Sequence, residues 1–172
     1  MCGGRGERGV TFLELLAAMA IIMILVSVAM PLSKITAKRA KEVELRQALR
    51  ELRVAIDRFK DDWNRDGDKL LGPMCVNNQL SCKDVASVNG YPKTLETLLR
   101  VDLSGEAANV SGNTVKRYLR TIPTDPITGE LEWALRCYAD DADESSWCGE
   151  DVFDAHSASE KTGLDGTSYR EW

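Results

Sequence analysis

The stretch that decides the fold runs from Gly9 to Pro31 and reads G-VTFLELLAAMAIIMILVSVAM-P. Apart from Thr11, Glu14 and Ser27, every residue between its two ends is apolar. A helix of this length, rising about 1.5 Å per residue, would cross a bilayer core of about 30 Å. The stretch is therefore predicted to form a membrane-spanning helix.

Glu14 is the unusual residue of this segment, because an acid inside a bilayer costs roughly 2.5 kcal/mol or more unless it finds a partner. An acid in such a place indicates a functional site, and its partner should be a cation. The alternative is an acid near the helix start that reaches the lipid headgroups. An ordinary secretory signal also has a basic start and an apolar run. Glu14 would interrupt that run, however, and no clear A-x-A site follows it.

The N-terminal residues resemble the class III signal of type IV pilins and type II secretion pseudopilins. In that signal a short charged leader ends in Gly, prepilin peptidase cuts after it, and Glu and Pro follow at the fifth and twenty-second mature positions. Here Gly9 ends the leader and Val10 becomes the first mature residue, in place of the usual Phe. Glu14 and Pro31 fall at the matching positions. The resemblance implies cleavage between Gly9 and Val10 and N-methylation of Val10.

The resemblance also implies that Glu14 and Pro31 act in assembly. The new amine of Val10 would pair with Glu14 of a neighbouring subunit. A low dielectric strengthens such a pair and makes either group costly when it is left unpaired. Glu14 is therefore predicted to fix the register of a homo-oligomeric helical filament. Pro31 lacks an N–H and is predicted to kink or locally melt the helix.

Composition limits the partners of the chain. It has 172 residues and a formal net charge of −5, which makes nucleic acid a poor partner. The charge is uneven: residues 32–60 hold nine Lys and Arg against four acids, whereas residues 123–172 hold thirteen acids against three bases. One interpretation is attraction between the basic stem and the acidic head of neighbouring subunits, and the other is solubility alone.

Beyond Pro31 an apolar stripe continues at steps of three and four residues, the period of an amphipathic helix. Its members are Leu45, Leu49, Leu52, Ile56, Phe59 and Trp63. The charged residues between them are expected to face solvent or other subunits, namely Arg46, Arg50, Glu51, Arg53 and Arg58. This helix should end near Asn64 to Gly67. The predicted organisation is a leader at 1–9, a transmembrane and assembly helix at 10–31, an amphipathic stem helix at 32–65 and one globular head at 66–172.

The head is predicted to hold a short helix and a few strands. Thr94 is the expected N-cap of a helix within residues 91–99 whose apolar residues lie on one side. Alternating apolar residues from Glu130 to Tyr138 predict a half-buried strand, and residues 151–154 predict a last one. The polar stretch over residues 101–113 indicates a loop.

Three motifs in the head resemble the major pseudopilin of type II secretion systems. They are Tyr91-Pro92-x-Thr94, Tyr118-Leu119 and Ile122-Pro123-x-Asp125-Pro126, followed by an acidic C-terminal loop that closes on Trp172. The resemblance implies an α+β fold in which a long N-terminal helix packs on a small antiparallel sheet. It also implies a structural subunit rather than an enzyme.

The resemblance further implies a single-pass inner-membrane protein with a cytoplasmic N-terminus and a periplasmic head. Its partners would be other copies of itself, prepilin peptidase, an inner-membrane assembly platform and minor pseudopilins, in a periplasmic filament that drives protein export. A surface pilin for adhesion or motility is the alternative within this superfamily. A membrane-anchored periplasmic enzyme or binding module is the alternative outside it.

The chain has five cysteines, one in the predicted leader and four in the predicted head. Cys2 lies in the leader, and the four others are Cys75, Cys82, Cys137 and Cys148. An even number outside the cytoplasm indicates two disulfides. Of the three pairings, Cys75 with Cys82 and Cys137 with Cys148 is favoured because each closes a short polar loop. Zinc is the alternative, although no C-x2-C pair is present.

Calcium is the one ligand that the resemblance implies, because major pseudopilins bind it in the acidic C-terminal loop. The hard oxygen ligands available there are Asp151, Asp154, Glu160 and Asp165. A solvated acidic loop without an ion is the alternative. The lone His156, with no placed nucleophile beside it, is interpreted as a surface loop residue rather than a catalyst.

Overall fold

The structure is a computed structural model that describes residues 11–63, 84–103, 112, 114–141, 144 and 146–172, without the side chains of residues 28 and 31. The chain divides into two compact units, residues 1–40 and 41–172. It has the expected α+β fold, with a long N-terminal helix and small antiparallel sheets.

Within the described residues, the helices and strands are short apart from the first helix. Helix α1 spans Phe12–Trp63 and helix α2 spans Leu95–Leu99, and a 3-10 helix at Tyr169–Glu171 closes the chain. The strands are β1 (Val101–Asp102), β2 (Val115–Lys116), β3 (Ala134–Arg136) and β4 (Asp154–His156). Strand β1 pairs with β2 and β3 pairs with β4, both antiparallel. The described residues therefore form two two-stranded sheets rather than the single sheet that was expected.

In the first unit, α1 satisfies the hydroxyl groups of Ser27 and Ser33 within its own backbone. The hydroxyl of Ser27 donates to the carbonyl of Ile24 at 2.7 Å, and that of Ser33 donates to Met30 at 2.9 Å. Such bonds let a hydroxyl lie in an apolar helix without an unmet donor. Pro31 was predicted to kink or locally melt the helix. Because α1 continues through this residue, the helix is not melted there. A proline removes one backbone hydrogen bond, and the surrounding turns of a long apolar helix tolerate that loss.

In the second unit, the predicted stripe of α1 is confirmed as the centre of the core. All six of its side chains, from Leu45 to Trp63, are at most 2% exposed. Leu98 of α2, Val101 of β1 and Ala155 of β4 belong to the same buried cluster. The part of α1 beyond Lys41 is thus the surface on which the short elements pack. The predicted helix end near Asn64 to Gly67 lies outside the described residues.

The strand predicted from Glu130 to Tyr138 is shorter than expected. Only Ala134–Arg136 pairs as a strand, and Leu131 is 63% exposed. The residues before it bond back to the preceding turn instead: the carbonyl of Glu130 accepts from the N–H of Asp125, and the indole N–H of Trp133 donates to the carbonyl of Pro123. These bonds hold residues 130–133 beside the turn, where they cannot join a sheet.

The last strand is displaced from residues 151–154 to Asp154–His156. The N–H of Val152 donates to the carbonyl of Pro92, so this residue bonds outside the β3–β4 pair. His156 consequently lies in a strand and is buried, which makes the surface-loop interpretation wrong. Burial and the nearby charge of Arg136 lower the pKa of His156 to about 4.

Two smaller predictions in the head had different outcomes. Thr94 is the N-cap of α2, as predicted, with an extended backbone; its hydroxyl makes no cap bond and lies 3.3 Å from that of Thr97. The stretch predicted as a loop at 101–113 contains β1 at its start, and β2 follows it.

The predicted disulfide between Cys137 and Cys148 is present, with the two Cα atoms 6.0 Å apart. These two cysteines are therefore not thiolates, which excludes zinc held by four cysteines. The predicted partners Cys75 and Cys82 lie outside the described residues.

Two side chains of α1 that the periodicity did not single out connect the helix to the C-terminal segment. Arg53 donates to both carboxylate oxygens of Asp154, at 2.7 and 3.3 Å, and to the carbonyl of Trp172. Glu42 is buried and accepts from the N–H of Leu164 and the hydroxyl of Tyr169, both at 2.8 Å. Arg53 was expected to face solvent or other subunits, and that expectation is wrong because Asp154 holds it half-buried against the head.

Asp125 is fully buried and holds together the turn that follows Ile122-Pro123. One carboxylate oxygen accepts from the N–H of Ile127 at 2.8 Å, and the other accepts from the hydroxyl of Ser157 at 2.6 Å. The side chain therefore joins this turn to the residues just after β4.

We expect Asp125→Ala to lower the free energy of unfolding by about 2–4 kcal/mol, because it leaves the buried hydroxyl of Ser157 and the part-buried N–H of Ile127 without their acceptor. Thr128→Ala in the same turn removes a hydroxyl that accepts from Glu130 at an exposed position, and should cost only about 0.5 kcal/mol. Thermal unfolding of the detergent-solubilised protein, followed by tryptophan fluorescence, measures both. Equal losses in the two variants would contradict a special role for Asp125.

Candidate assembly site

The start of α1 is fixed by Thr11. The N–H of Glu14 donates to the side-chain oxygen of Thr11 at 3.3 Å, and the N–H of Leu15 donates to the carbonyl of Thr11 at 3.1 Å. A Thr followed three residues later by Glu is the capping-box pattern of a helix N-terminus. Thr11 thereby places Glu14 in the first turn, where the helix dipole favours a negative charge.

Glu14 is exposed at this position and has no basic partner within the described part of the chain. Its neighbours Phe12 and Leu13 are each 77% exposed. The carboxylate is thus presented from an apolar surface, where an uncompensated charge is costly once water is removed. This geometry can bind a cation supplied from outside the chain.

The apolar side chains that follow Glu14 are exposed as well. The helix is long and apolar enough to cross a membrane by length and composition, and none of its most apolar stretch is buried. Leu16, Ile22 and Leu25 are each more than half exposed. Contiguous apolar surface of this kind marks a site for lipid or protein contact. This surface is suited to contact with lipid or with other apolar helices.

Comparison with known proteins agrees with this geometry. Residues 4–30 match the family model of the prokaryotic N-terminal methylation motif. The motif is typical of type IV pilin-like proteins and supports a subunit that prepilin peptidase processes. No curated protein and no solved structure matches the chain. The apolar helix is compatible with single-pass anchoring in an inner membrane.

The predicted processing and assembly residues are only partly within the described structure. Gly9 and Val10 lie outside it, although both fall inside the matched motif. Glu14 lies in the first turn of α1, and Pro31 lies within the same helix. Cleavage, methylation and the roles of Glu14 and Pro31 in assembly stay predictions.

The four carboxylates expected to bind calcium do not come together. Asp151 is buried and accepts from the N–H of Tyr138 at 2.9 Å, while Asp154 is paired with Arg53. Each is thus already engaged by a donor of the protein. Asp165 accepts from the hydroxyl and N–H of Thr167, bonds that hold its pKa below the usual value. Glu160 is exposed.

Among the described residues, one group of acidic or sulfur side chains brings three candidate ligand atoms within 4.8 Å of one another, namely Cys137, Asp140 and Cys148. Its two sulfurs form the disulfide, and the carboxylate of Asp140 accepts from the N–H of Cys137. This group does not fit calcium, which requires six to eight oxygen ligands. Among the described residues, no three of the four predicted acids bring ligand atoms within 4.8 Å of one another.

Chelation tests the prediction of calcium binding, and the arrangement of the described carboxylates favours its alternative, a solvated acidic loop without an ion. We expect EGTA to leave the melting temperature of the solubilised protein unchanged, because the carboxylates already have protein donors or face solvent. A variant with Asp151→Asn should melt lower with or without chelator, since it perturbs the bond to Tyr138. A fall of several degrees with EGTA, reversed by calcium, would show instead that the acidic segment rearranges around an ion.

Sequence reasoning missed the polar side chains that organise the head. Glu42 had a usable signal, because it precedes Leu45 by three residues and so continues the apolar stripe. Tyr118 also had one, since it lies in a recognised motif; its hydroxyl donates to Asp62 at 2.9 Å and accepts from the indole of Trp63. Burial, with the bond to Asp62, raises the pKa of Tyr118. No pattern in the sequence pointed to Ser157 as the partner of Asp125.

Proposed function

We propose that this chain is a structural subunit of a type II secretion pseudopilus. In this proposal prepilin peptidase cuts it after Gly9, and the mature subunits polymerise through their N-terminal helices to drive protein export across the outer membrane. The observation that carries the proposal is the methylation motif at residues 4–30, followed by an exposed apolar helix with Glu14 in its first turn.

The chemistry of assembly follows from Val10 and Glu14. Cleavage turns the amide nitrogen of Val10 into an amine, which carries a positive charge whether or not it is methylated. In a bilayer this amine and the carboxylate of a neighbouring Glu14 attract strongly, and both are costly when unpaired. Insertion at the correct level along the filament is then favoured over insertion one turn too high or too low.

The head supports a pseudopilin rather than a surface pilin through its motifs. Tyr91 and Pro92 are buried, and the carbonyl of Pro92 accepts from Val152. Asp125 of the third motif closes the turn described above. These motifs carry the resemblance to the major pseudopilin. Because their residues have structural roles in this chain, no catalytic role is proposed for them.

The proposed subunit is anchored by α1 in the inner membrane, with its head in the periplasm. Its partners are other copies of the chain, prepilin peptidase, the inner-membrane assembly platform and minor pseudopilins. The free energy for extending the filament would come from a separate cytoplasmic ATPase.

Processing is tested by intact mass and N-terminal sequencing of protein purified from membranes that contain prepilin peptidase. We expect a chain that starts at Val10 and carries one added methyl group. Gly9→Leu should remain at full length, because the peptidase site is expected to accept no side chain there. A wild-type chain that starts at Met1, or after a cut beyond Ala29, would overturn the proposal.

Assembly is tested by Glu14→Ala and Glu14→Gln in cells that carry an assembly machine. Both variants should insert into the membrane, and both should lose roughly tenfold or more of the sedimentable filament because the amine is left unpaired. Ser27→Ala is the matched control, since the hydroxyl it removes bonds only to the carbonyl of Ile24 in its own helix. Normal filaments from Glu14→Ala would refute the pairing.

A further inference from the structure

One exposed face of α1 in the second unit carries an excess of positive charge. Arg46, Arg50, Val54 and Arg58 recur every four residues, so they lie along one side of the helix. All four are exposed. Arg120 lines the same cleft as Arg50 and Arg58. We call these five residues the arginine face.

Only one of these arginines has an ion pair among the described residues. Arg46 lies 3.3 Å from Asp165, and its guanidinium stacks 4.3 Å above the ring of Trp172. Arg50, Arg58 and Arg120 have no acidic partner in the described part of the chain. The exposed Glu51 also lines the cleft of Arg50, Arg58 and Arg120, so three basic side chains face one acid there. An excess of like charge along one surface favours an acidic occupant.

The chain carries a segment of matching chemistry. Residues 138–147, which the disulfide between Cys137 and Cys148 closes, hold four acids and no base. The four acids are Asp140, Asp141, Asp143 and Glu144. Of these acids, Asp140, Asp141 and Glu144 lie within the described residues, and we call these three the acidic loop.

Two of these acids are available for contact. Asp141 and Glu144 are both exposed, and neither has a basic partner among the residues that the structure describes. Glu144 accepts a hydrogen bond from the hydroxyl of Ser146. Asp140 differs, because its carboxylate is used by the N–H of Cys137. The disulfide restricts the loop, so less entropy is lost when the loop binds.

We infer that the arginine face of one copy binds the acidic loop of a second copy. This inference rests on the proposed filament function. Every subunit carries both surfaces, and among the described residues neither Arg50, Arg58 and Arg120 nor Asp141 and Glu144 have an ion-pair partner. This is the arrangement of a heterologous contact that repeats without closing. Packing of the apolar helices brings copies side by side, so weak charge pairs act at high effective concentration. Such pairs fix partner orientation more than they add affinity.

The test uses two charge-reversed forms of the full chain in cells with an assembly machine. One form carries Arg50→Glu and Arg58→Glu, and the other carries Asp141→Lys and Glu144→Lys. All four positions are exposed, so each form should fold and be processed as the wild type. The matched control for charge is Arg117→Glu with Lys161→Glu, since both side chains are exposed and neither lines a cleft of the arginine face.

We expect each reversed form alone to lose roughly tenfold of its sedimentable filament, because like charges then meet at the contact. Coexpression of the two forms should restore filaments, since the acidic helix face of one form then meets the basic loop of the other. A single chain with all four substitutions should assemble as well. The Arg117→Glu/Lys161→Glu control should match the wild type.

Failure of the inference and failure of the proposed function give different results. If the wild type forms filaments and the reversed forms do so equally, or if mixing does not rescue them, this contact is refuted and the filament function stands. If the wild type itself forms no filament, both are refuted. If Arg50→Glu/Arg58→Glu instead loses membrane association while the loop variant assembles normally, the arginine face binds anionic headgroups and the inferred contact is wrong.

Discussion

The burial of one stripe of α1 is the interaction on which the second compact unit depends. A buried large apolar side chain contributes about 1.5–3 kcal/mol, and the stripe supplies six of them from Leu45 to Trp63. The strands have only two or three residues each, and pairs of that length are not stable alone. They persist because side chains such as Val101 and Ala155 belong to the same core as the stripe. The helix is the scaffold, and the sheets are fastened to it.

The carboxylates of Glu42, Asp125 and Glu14 differ in their partners, and this difference separates a role in the fold from the role proposed in assembly. Glu42 and Asp125 are buried, and each accepts two hydrogen bonds from groups of the same chain. Glu14 lies in an apolar helix, and the described residues offer it no basic partner. The same cost of an unpaired charge applies to all three. It makes the first two carboxylates requirements of the fold, and in the proposed filament it makes Glu14 depend on the amine of a neighbouring subunit.

The sequence predicted those features that repeat over many residues. The stripe and the long helix follow from a period sustained from Leu45 to Trp63, and the pairing of Cys137 with Cys148 follows from their short separation. Strand limits were less accurate, because the alternation from Glu130 onward is overridden by backbone bonds to the preceding turn. The partners of Asp125 and Arg53 could not be predicted, since each bond joins residues that only the tertiary fold brings together.

Apolar packing by itself does not determine how two copies of such a helix align. It is non-directional, and lipid tails are as apolar as the side chains that they would replace, so a helix can slide past its neighbour at little cost. The alignment must then come from the few polar groups that are exposed and unpaired. In the proposed filament Glu14 does this within the membrane, where a mismatch of one turn leaves a charge in a low dielectric. In the same filament the arginine face and the acidic loop set the alignment outside the membrane, where water screens charge. Several weaker pairs are therefore required there for the same selectivity.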